Sequence, residues 1–252
     1  MLEHLEWTGW AVLAAAALLV GVSKTGLPGV GMLATLMVAA IIPTRQSTGL
    51  ILPMLIVGDF FAVAYYRRHA VWKHLVKLIP FAALGIVLGW LAMGHVNDSQ
   101  LSIFIGSVIL VLLALSWWRG RRGEEMPVPT GWWFPVCMGL TAGVTTMMAN
   151  AAGPIMIIYL LAMRLPKNEF LGTGAWYYLI LNWFKVPFSA NLNLINWDSL
   201  QLNLILLPAI LAGAVAGIWL IKRVPQKAFT AVVQVIAALL AAWLVAKPFV
   251  MK

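Results

Sequence analysis

A glycine- and proline-rich break at residues 21–31 interrupts two long apolar runs near the start of the chain. A helix cannot pass through it undisturbed, because Pro28 lacks an amide donor and Gly26 and Gly29 favour other backbone angles. Unpaired backbone is costly in lipid, so such a break survives where protein or a watery cavity surrounds it. Lys24 adds a positive charge, which in a membrane segment indicates a functional site. The alternative is a short loop whose lysine reaches the membrane surface.

Composition places the chain in a membrane. Hydrophobic residues make up 62% of the 252 residues and charged residues only 10%, whereas about a quarter of the residues of a soluble domain are charged. The apolar runs are continuous and do not alternate, which favours membrane helices over a barrel. The excess of basic residues lies in short loops between these runs, so it does not indicate nucleic-acid binding. The predicted fold class is therefore all-α, a polytopic integral membrane protein.

Read against a span of about 20 residues, the apolar runs give about ten membrane segments. The first, second, sixth and seventh runs are short for full spans, so short tilted helices and re-entrant hairpins stay open for them. The predicted segments lie near residues 8–22, 28–43, 47–66, 75–94, 100–118, 132–149, 152–163, 171–189, 201–221 and 228–246.

Loop charges predict the orientation of the chain in the membrane. Most of the lysines and arginines lie in four alternate loops, whereas the loops at 94–99 and 190–200 contain none. The positive-inside rule then places the four basic loops in the cytoplasm and the N-terminus outside. The expected location is the bacterial inner (plasma) membrane.

The two halves of the chain repeat in sequence. Residues 43–45 align with residues 166–168 at an offset of 123, and the glycine pair of residues 85–89 aligns with that of residues 213–217 at an offset of 128. Glycines four residues apart let membrane helices pack closely. An odd number of segments in each half predicts that the repeats are inverted.

The repeat predicts where a substrate site should form. The expected division is a first membrane repeat at 1–120, a cytoplasmic linker at 121–131 and a second membrane repeat at 132–252, which together make one membrane domain. The stretch 143–154 falls opposite the first break and is a second interruption. In transporters built from inverted repeats, substrates bind near the bilayer midplane where interrupted helices meet.

Asp59 is the only carboxylate well inside an apolar segment. Burying an unpaired carboxylate is expensive, so it takes up a proton or finds a cation. Lys24 is the predicted partner, and both a coupling role for Asp59 and a structural ion pair stay open. Lys185 lies near the opposite end of its segment, just before Pro187, and is predicted to extend outward to the membrane surface.

Asn182 matches Asp59 at the offset of 123, so the repeat keeps polarity there and drops the charge. Met147 matches Lys24, and an anion site would therefore be charged from one side and completed by neutral donors. The helix N-termini after each break would add backbone N–H groups, although the same polar groups can simply satisfy the broken backbone. The predicted substrate-binding residues are Lys24, Thr25, Gly26, Pro28, Gly29, Thr145, Thr146, Asn150, Gly153, Pro154 and Asn182, with Asp59 as the coupling residue.

No catalytic or metal-binding arrangement is evident in the sequence. The histidines all lie in the N-terminal tail or in loops, and no paired carboxylates or phosphate-binding loop occur. The single cysteine, Cys137, excludes an intrachain disulfide and a multi-cysteine metal site. The chain is therefore predicted not to be an enzyme.

These residues resemble the sulfite exporter TauE/SafE family of membrane permeases over nearly the whole chain. The first break, residues 21–29, is the more specific motif, and the second half follows the pattern at residues 153–154, 170–173, 182 and 185–187. Many members have a run of glycines where this chain has residues 147–152. The resemblance implies export of sulfite, related sulfur oxyanions or organosulfonates, and no bound cofactor.

The sequence thus predicts a secondary transporter for a small anion that works by alternating access, with Lys24 as the charge partner of the anion. An anion channel is one alternative, and a non-transporting membrane subunit or integral-membrane enzyme is another. The expected partners are the small anionic substrate and the lipid bilayer, and a homo-oligomer stays open.

Overall fold

α-Helices form the regular structure of the residues that the computed structural model describes, which are 6–42, 44–92, 110 and 131–250. No strand occurs in these ranges, in agreement with the predicted all-α class. The helices are α1 (Trp7–Thr25), α2 (Gly31–Ile41), α3 (Thr44–Tyr66), α4 (Trp72–Ala92), α5 (Trp133–Ala149), α6 (Gly153–Ala162), α7 (Lys167–Asn191), α8 (Trp197–Arg223) and α9 (Gln226–Val250), with a 3-10 turn at Arg67–His69.

Each predicted segment within the described ranges coincides with one of these helices. The fifth segment, 100–118, lies outside the described residues except for residue 110, and the linker at 121–131 does so except for residue 131. The total of ten segments therefore stays a prediction.

Four of the described stretches are long and apolar enough to cross a membrane: Trp7–Thr25, Gln46–His69, Trp72–Ala92 and Trp197–Arg223. Helices α5 and α6 are apolar but shorter, with 17 and 10 residues. The first segment, expected at 8–22 and short for a full span, forms a longer helix, because α1 continues through Lys24 and contains 19 residues. That length corresponds to about 28 Å of helix.

Residue contacts divide the chain into two compact units. Unit one comprises Met1–Leu75 and Asn168–Pro225, and unit two comprises Val76–Lys167 and Gln226–Lys252. Unit one therefore contains α1, α2 and α3 with α7 and α8. Each unit draws on both halves of the sequence, and the predicted division into two consecutive repeats stays a prediction.

Glycines bring helix backbones together within each unit. In unit one, a Cβ added at Gly21 would overlap backbone atoms of Ile210 and Ala214, and one added at Gly213 would overlap the carbonyl of Leu18. In unit two, a Cβ at Gly85 would overlap the carbonyl of Leu140. Side chains of any size would therefore force these helices apart, and the predicted packing role of the glycine pairs is confirmed.

The helix boundaries repeat along the chain. Helices α2 and α3 begin at residues 31 and 44, and α6 and α7 begin at residues 153 and 167. A short helix after a break, followed by a long helix, thus occurs twice. The apolar core of unit one supports the first of these long helices through Leu50, Ile51 and Met54 on α3.

Candidate functional site

The first break in the chain occurs where the sequence predicts it. Helix α1 ends at Thr25, and the amides of Gly26 and Leu27 both donate to the carbonyl of Val22, at 2.9 and 3.1 Å. Gly29 adopts a positive φ of 96°, which favours glycine, and α2 begins two residues later. Lys24 therefore lies in the last helical turn and not in the loop. There its positive charge interacts favourably with the helix dipole.

Thr25 anchors the end of α1 to two other helices. Its buried hydroxyl lies 2.8 Å from the carbonyl of Ala214 on α8 and 3.1 Å from that of Gly21. The phenol of Tyr66 donates to the Thr25 carbonyl at 2.8 Å. One of the carbonyls left without a partner by the helix end is thereby satisfied. The hydroxyl of Thr25 is thus used in holding the break in place.

Lys24 and Asp59 form an ion pair inside unit one. The Nζ of Lys24 lies 2.7 Å from Oδ1 of Asp59, and the two side chains are 10% and 0% exposed. Asn182 donates from Nδ2 to the other carboxylate oxygen at 2.6 Å. The predicted pairing of Lys24 with Asp59 is confirmed, and the amide that matches Asp59 in the sequence repeat contacts Asp59 directly.

Helix α7 presents Tyr178, Asn182 and Lys185 on one face, because spacings of four and three residues bring side chains to the same side of a helix. The Nζ of Lys24 lies 4.3 Å from the centroid of the Tyr178 ring, which is within the range of a cation–π contact. Lys185 is 2% exposed and interacts electrostatically with both Lys24 and Asp59. We call Lys24, Asp59, Tyr178, Asn182 and Lys185 the charged cluster.

The prediction that Lys185 extends outward to the membrane surface is wrong. The sequence placed this segment at 171–189 with Lys185 near its end, whereas α7 covers Lys167–Asn191 and Lys185 is buried in it. It also lies three residues after Asn182, whose side chain faces Asp59. The helical period therefore directs Lys185 inward with Asn182, and the buried ammonium belongs to the charged cluster.

Gly58 provides space for the aliphatic chain of Lys24. A Cβ added at Gly58 would lie 2.9 Å from Cγ of Lys24 and 3.4 Å from its Cβ. The stem of Lys24 thus crosses α3 over the bare backbone of Gly58 and reaches the neighbouring Asp59. Sequence reasoning missed this residue, although a glycine beside the buried carboxylate was a visible signal.

The second break has the same plan in unit two. Asn150 follows α5 in the left-handed conformation, with φ of 52°, and its amide donates to the carbonyl of Thr146 at 3.1 Å. Helix α6 then begins with Gly153 and Pro154, and proline fits the first turn because its missing donor would have no partner there. The hydroxyl of buried Thr145 donates to its own helix, at the carbonyl of Ala142, at 3.1 Å.

The predicted binding residues thus fall into two groups. Lys24, Thr25, Gly26, Pro28, Gly29, Asp59 and Asn182 belong to unit one, and Thr145, Thr146, Asn150, Gly153 and Pro154 belong to unit two. The structure brings Lys24, Asp59 and Asn182 into direct contact. A role of the second group in substrate binding stays a prediction.

The charged cluster contains more basic than acidic side chains. Two ammonium groups accompany one carboxylate, so the cluster has one net positive charge when all three groups are ionised. In the part of the chain that the structure describes, no group of three or more His, Cys, Asp or Glu side chains could hold a metal ion. The ammonium, carboxylate and amide groups of the cluster interact by charge pairing and hydrogen bonding.

A family model described as Sulfite exporter TauE/SafE matches residues 13–244. The chain belongs to this family. The match spans both breaks and all members of the charged cluster, and it confirms the resemblance seen in the sequence. No match is found among curated proteins or among solved structures. Family membership and the long apolar helices together make this a multi-pass membrane protein of a transporter family.

Proposed function

We propose that this protein is a secondary transporter that exports sulfite, a related sulfur oxyanion or an organosulfonate by alternating access. It lies in the bacterial inner membrane with its N-terminus outside, and its two repeats are inverted. The observation that carries the proposal is the buried contact of Lys24 with Asp59 and Asn182 beside an interrupted helix, in a member of a sulfite exporter family. Lys24 is the charge partner of the transported anion.

Lys24 exchanges one anionic partner for another in this mechanism. Without substrate, its ammonium pairs with Asp59 at 2.7 Å. A buried charge that loses its partner is strongly destabilised, so Lys24 can leave the carboxylate only when a substrate anion takes its place. Meanwhile Asp59 keeps the hydrogen bond from Asn182 and the nearby charge of Lys185. The pair with Asp59 thus keeps the buried charge of Lys24 neutralised between transport cycles.

The membrane potential can drive export by itself. Moving one elementary charge across the membrane is worth about 2.3 kcal/mol per 100 mV, and a potential that is negative inside pushes an anion outward. Proton binding at Asp59, while Lys24 holds the substrate, is the second source of coupling. The two differ in whether a pH gradient changes the rate of transport.

The contact between Asp59 and Asn182 also supports a site near the membrane midplane. The two residues are 123 positions apart, which is the offset of the sequence repeat. Residues related by a twofold axis touch each other only where they lie beside that axis. In inverted repeats the axis lies in the membrane plane, so the charged cluster would lie at mid-depth.

Uptake of labelled sulfite into proteoliposomes tests the proposal. Vesicles with wild-type protein and trapped sulfite should take up labelled sulfite faster than vesicles with the same protein and no trapped sulfite. For a channel, trapped sulfite would not accelerate the uptake. Lys24→Met should remove this exchange. Lys227→Met makes the same change at an exposed lysine and should behave as wild type. Normal exchange in Lys24→Met would exclude the lysine as the charge partner.

A further inference from the structure

We infer that the charged cluster selects anions with a single negative charge. Asp59 sets this selectivity, because its negative charge offsets one of the two positive charges of Lys24 and Lys185. The inference rests on the proposed function, because it assigns the charge of the anion that binds at the same site. Hydrogensulfite and alkyl sulfonates carry one charge, whereas sulfate and thiosulfate carry two. The preferred substrates therefore belong to the first group.

The selectivity depends on Lys185, which the sequence alone predicts at the membrane surface. Lys185 is as buried as Asn182, each being 2% exposed, and it interacts with both other charged groups of the cluster. When Lys185 is protonated, it and Lys24 bring two positive charges to the site. If Asp59 alone faced Lys24, the two would cancel and an anion would find no net charge to neutralise.

Contacts around Asp59 suit its ionised form. Its Oδ1 faces the ammonium of Lys24 at 2.7 Å, and its Oδ2 faces the amide donor of Asn182 at 2.6 Å. Both oxygens therefore meet donors, and a proton on either oxygen would displace one of these two contacts. Charge-assisted hydrogen bonds of this kind are about twice as strong as neutral ones. In the substrate-free cluster, which is the state that an anion meets, Asp59 thus contributes one negative charge.

The sum of these charges sets the preferred anion. One bound negative charge neutralises the cluster, whereas a second would leave an uncompensated charge in a buried site. Uncompensated buried charge is expensive, because little water is present to solvate it. A singly charged sulfonate should therefore bind more tightly than sulfate, although sulfate offers one more oxygen for hydrogen bonding.

Methanesulfonate and sulfate are suitable probes, because both place oxygens tetrahedrally around sulfur and they differ by one charge. Their affinities for the purified full-length protein can be measured by calorimetry in detergent. Wild type should prefer methanesulfonate. Asp59→Asn removes one negative charge at constant shape, and it should shift the affinity ratio toward sulfate by about tenfold or more, which corresponds to 1.4 kcal/mol.

A charge-restoring double variant makes the test specific. Asp59→Asn combined with Lys185→Gln returns the net charge to its original value, and the preference for methanesulfonate should return with it. Lys185→Gln alone leaves no net charge, and it should weaken sulfate more than methanesulfonate. Lys227→Gln, at an exposed position, should leave both affinities unchanged. If Asp59→Asn does not fold, the ratio of the affinities of Lys185→Gln for methanesulfonate and sulfate tests the charge selectivity by itself.

The outcomes separate the two proposals. Folded wild-type protein that binds neither probe nor sulfite would overturn the proposed function. Wild-type protein that binds these anions but prefers sulfate would overturn the charge selectivity and leave the transporter proposal intact. An affinity ratio that stays constant in both Asp59→Asn and Lys185→Gln would do the same.

Discussion

Gly58→Ala should weaken anion binding while leaving the protein folded. The added Cβ would lie 2.9 Å from Cγ of Lys24, whereas carbon atoms in contact prefer about 3.5–4.0 Å. The stem of Lys24 must therefore move by about 0.6 Å or more. Its Nζ now lies 2.7 Å from Asp59, and a movement of the stem displaces the ammonium from this position, since a hydrogen bond is usually no longer than about 3.2 Å.

The cost should appear mainly in binding. Crowding of this kind costs about 1–3 kcal/mol, and replacing a helical glycine by alanine returns about 0.5–1 kcal/mol. The net loss of stability is therefore at most about 2.5 kcal/mol, because the neighbour is a flexible side chain and not backbone. The displaced Lys24 should also lose one charge-assisted hydrogen bond to the bound anion, worth about 1.5–3 kcal/mol, and this corresponds to an affinity loss of about tenfold to a hundredfold.

Calorimetric titration of methanesulfonate and thermal unfolding in the same detergent measure the two effects. Ala62 provides a comparison on the same helix. Ala62→Gly removes a buried methyl group and leaves the residues of the charged cluster unchanged. That variant should lose stability and keep its affinity. Wild-type affinity in Gly58→Ala would refute the reasoning that the bare backbone at Gly58 positions Lys24.

Three further outcomes test the framework around the site. Gly21→Ala should destabilise the protein in thermal unfolding by about 1–3 kcal/mol, because its Cβ would overlap backbone of α8 and only helix separation can relieve this; an unchanged midpoint would contradict the packing. Tyr66→Phe should cost about 1–3 kcal/mol in the same assay, since it leaves the last carbonyl of α1 without its donor; no loss would show that water replaces the phenol. After Cys137→Ser removes the exposed thiol, cysteines placed at Ser99 and Arg122 should react with impermeant reagents from opposite sides, and labelling from one side would refute the orientation.

The sequence by itself determined that a break and a buried charge pair must exist. Pro28 and Gly29 cannot continue a helix, and a carboxylate among apolar residues must find a partner, because both costs are local and large in a membrane. Lys24 and Asp59 could be matched for that reason before any distance was known. The internal repeat likewise placed Asn182 opposite Asp59, since the alignment depends on residue numbers alone.

Only the tertiary structure decided which groups share the site. Lys185 was assigned to the membrane surface because it lies near the end of its predicted segment, but it lies three residues after Asn182 on α7 and faces inward with it. Thr25 looked like a ligand, and its hydroxyl donates to a carbonyl that is 189 residues away. The role of Gly58 depends on the path of a side chain from another helix. Such features depend on how the faces of separate helices meet, and contacts between residues far apart in the chain leave no local pattern in it.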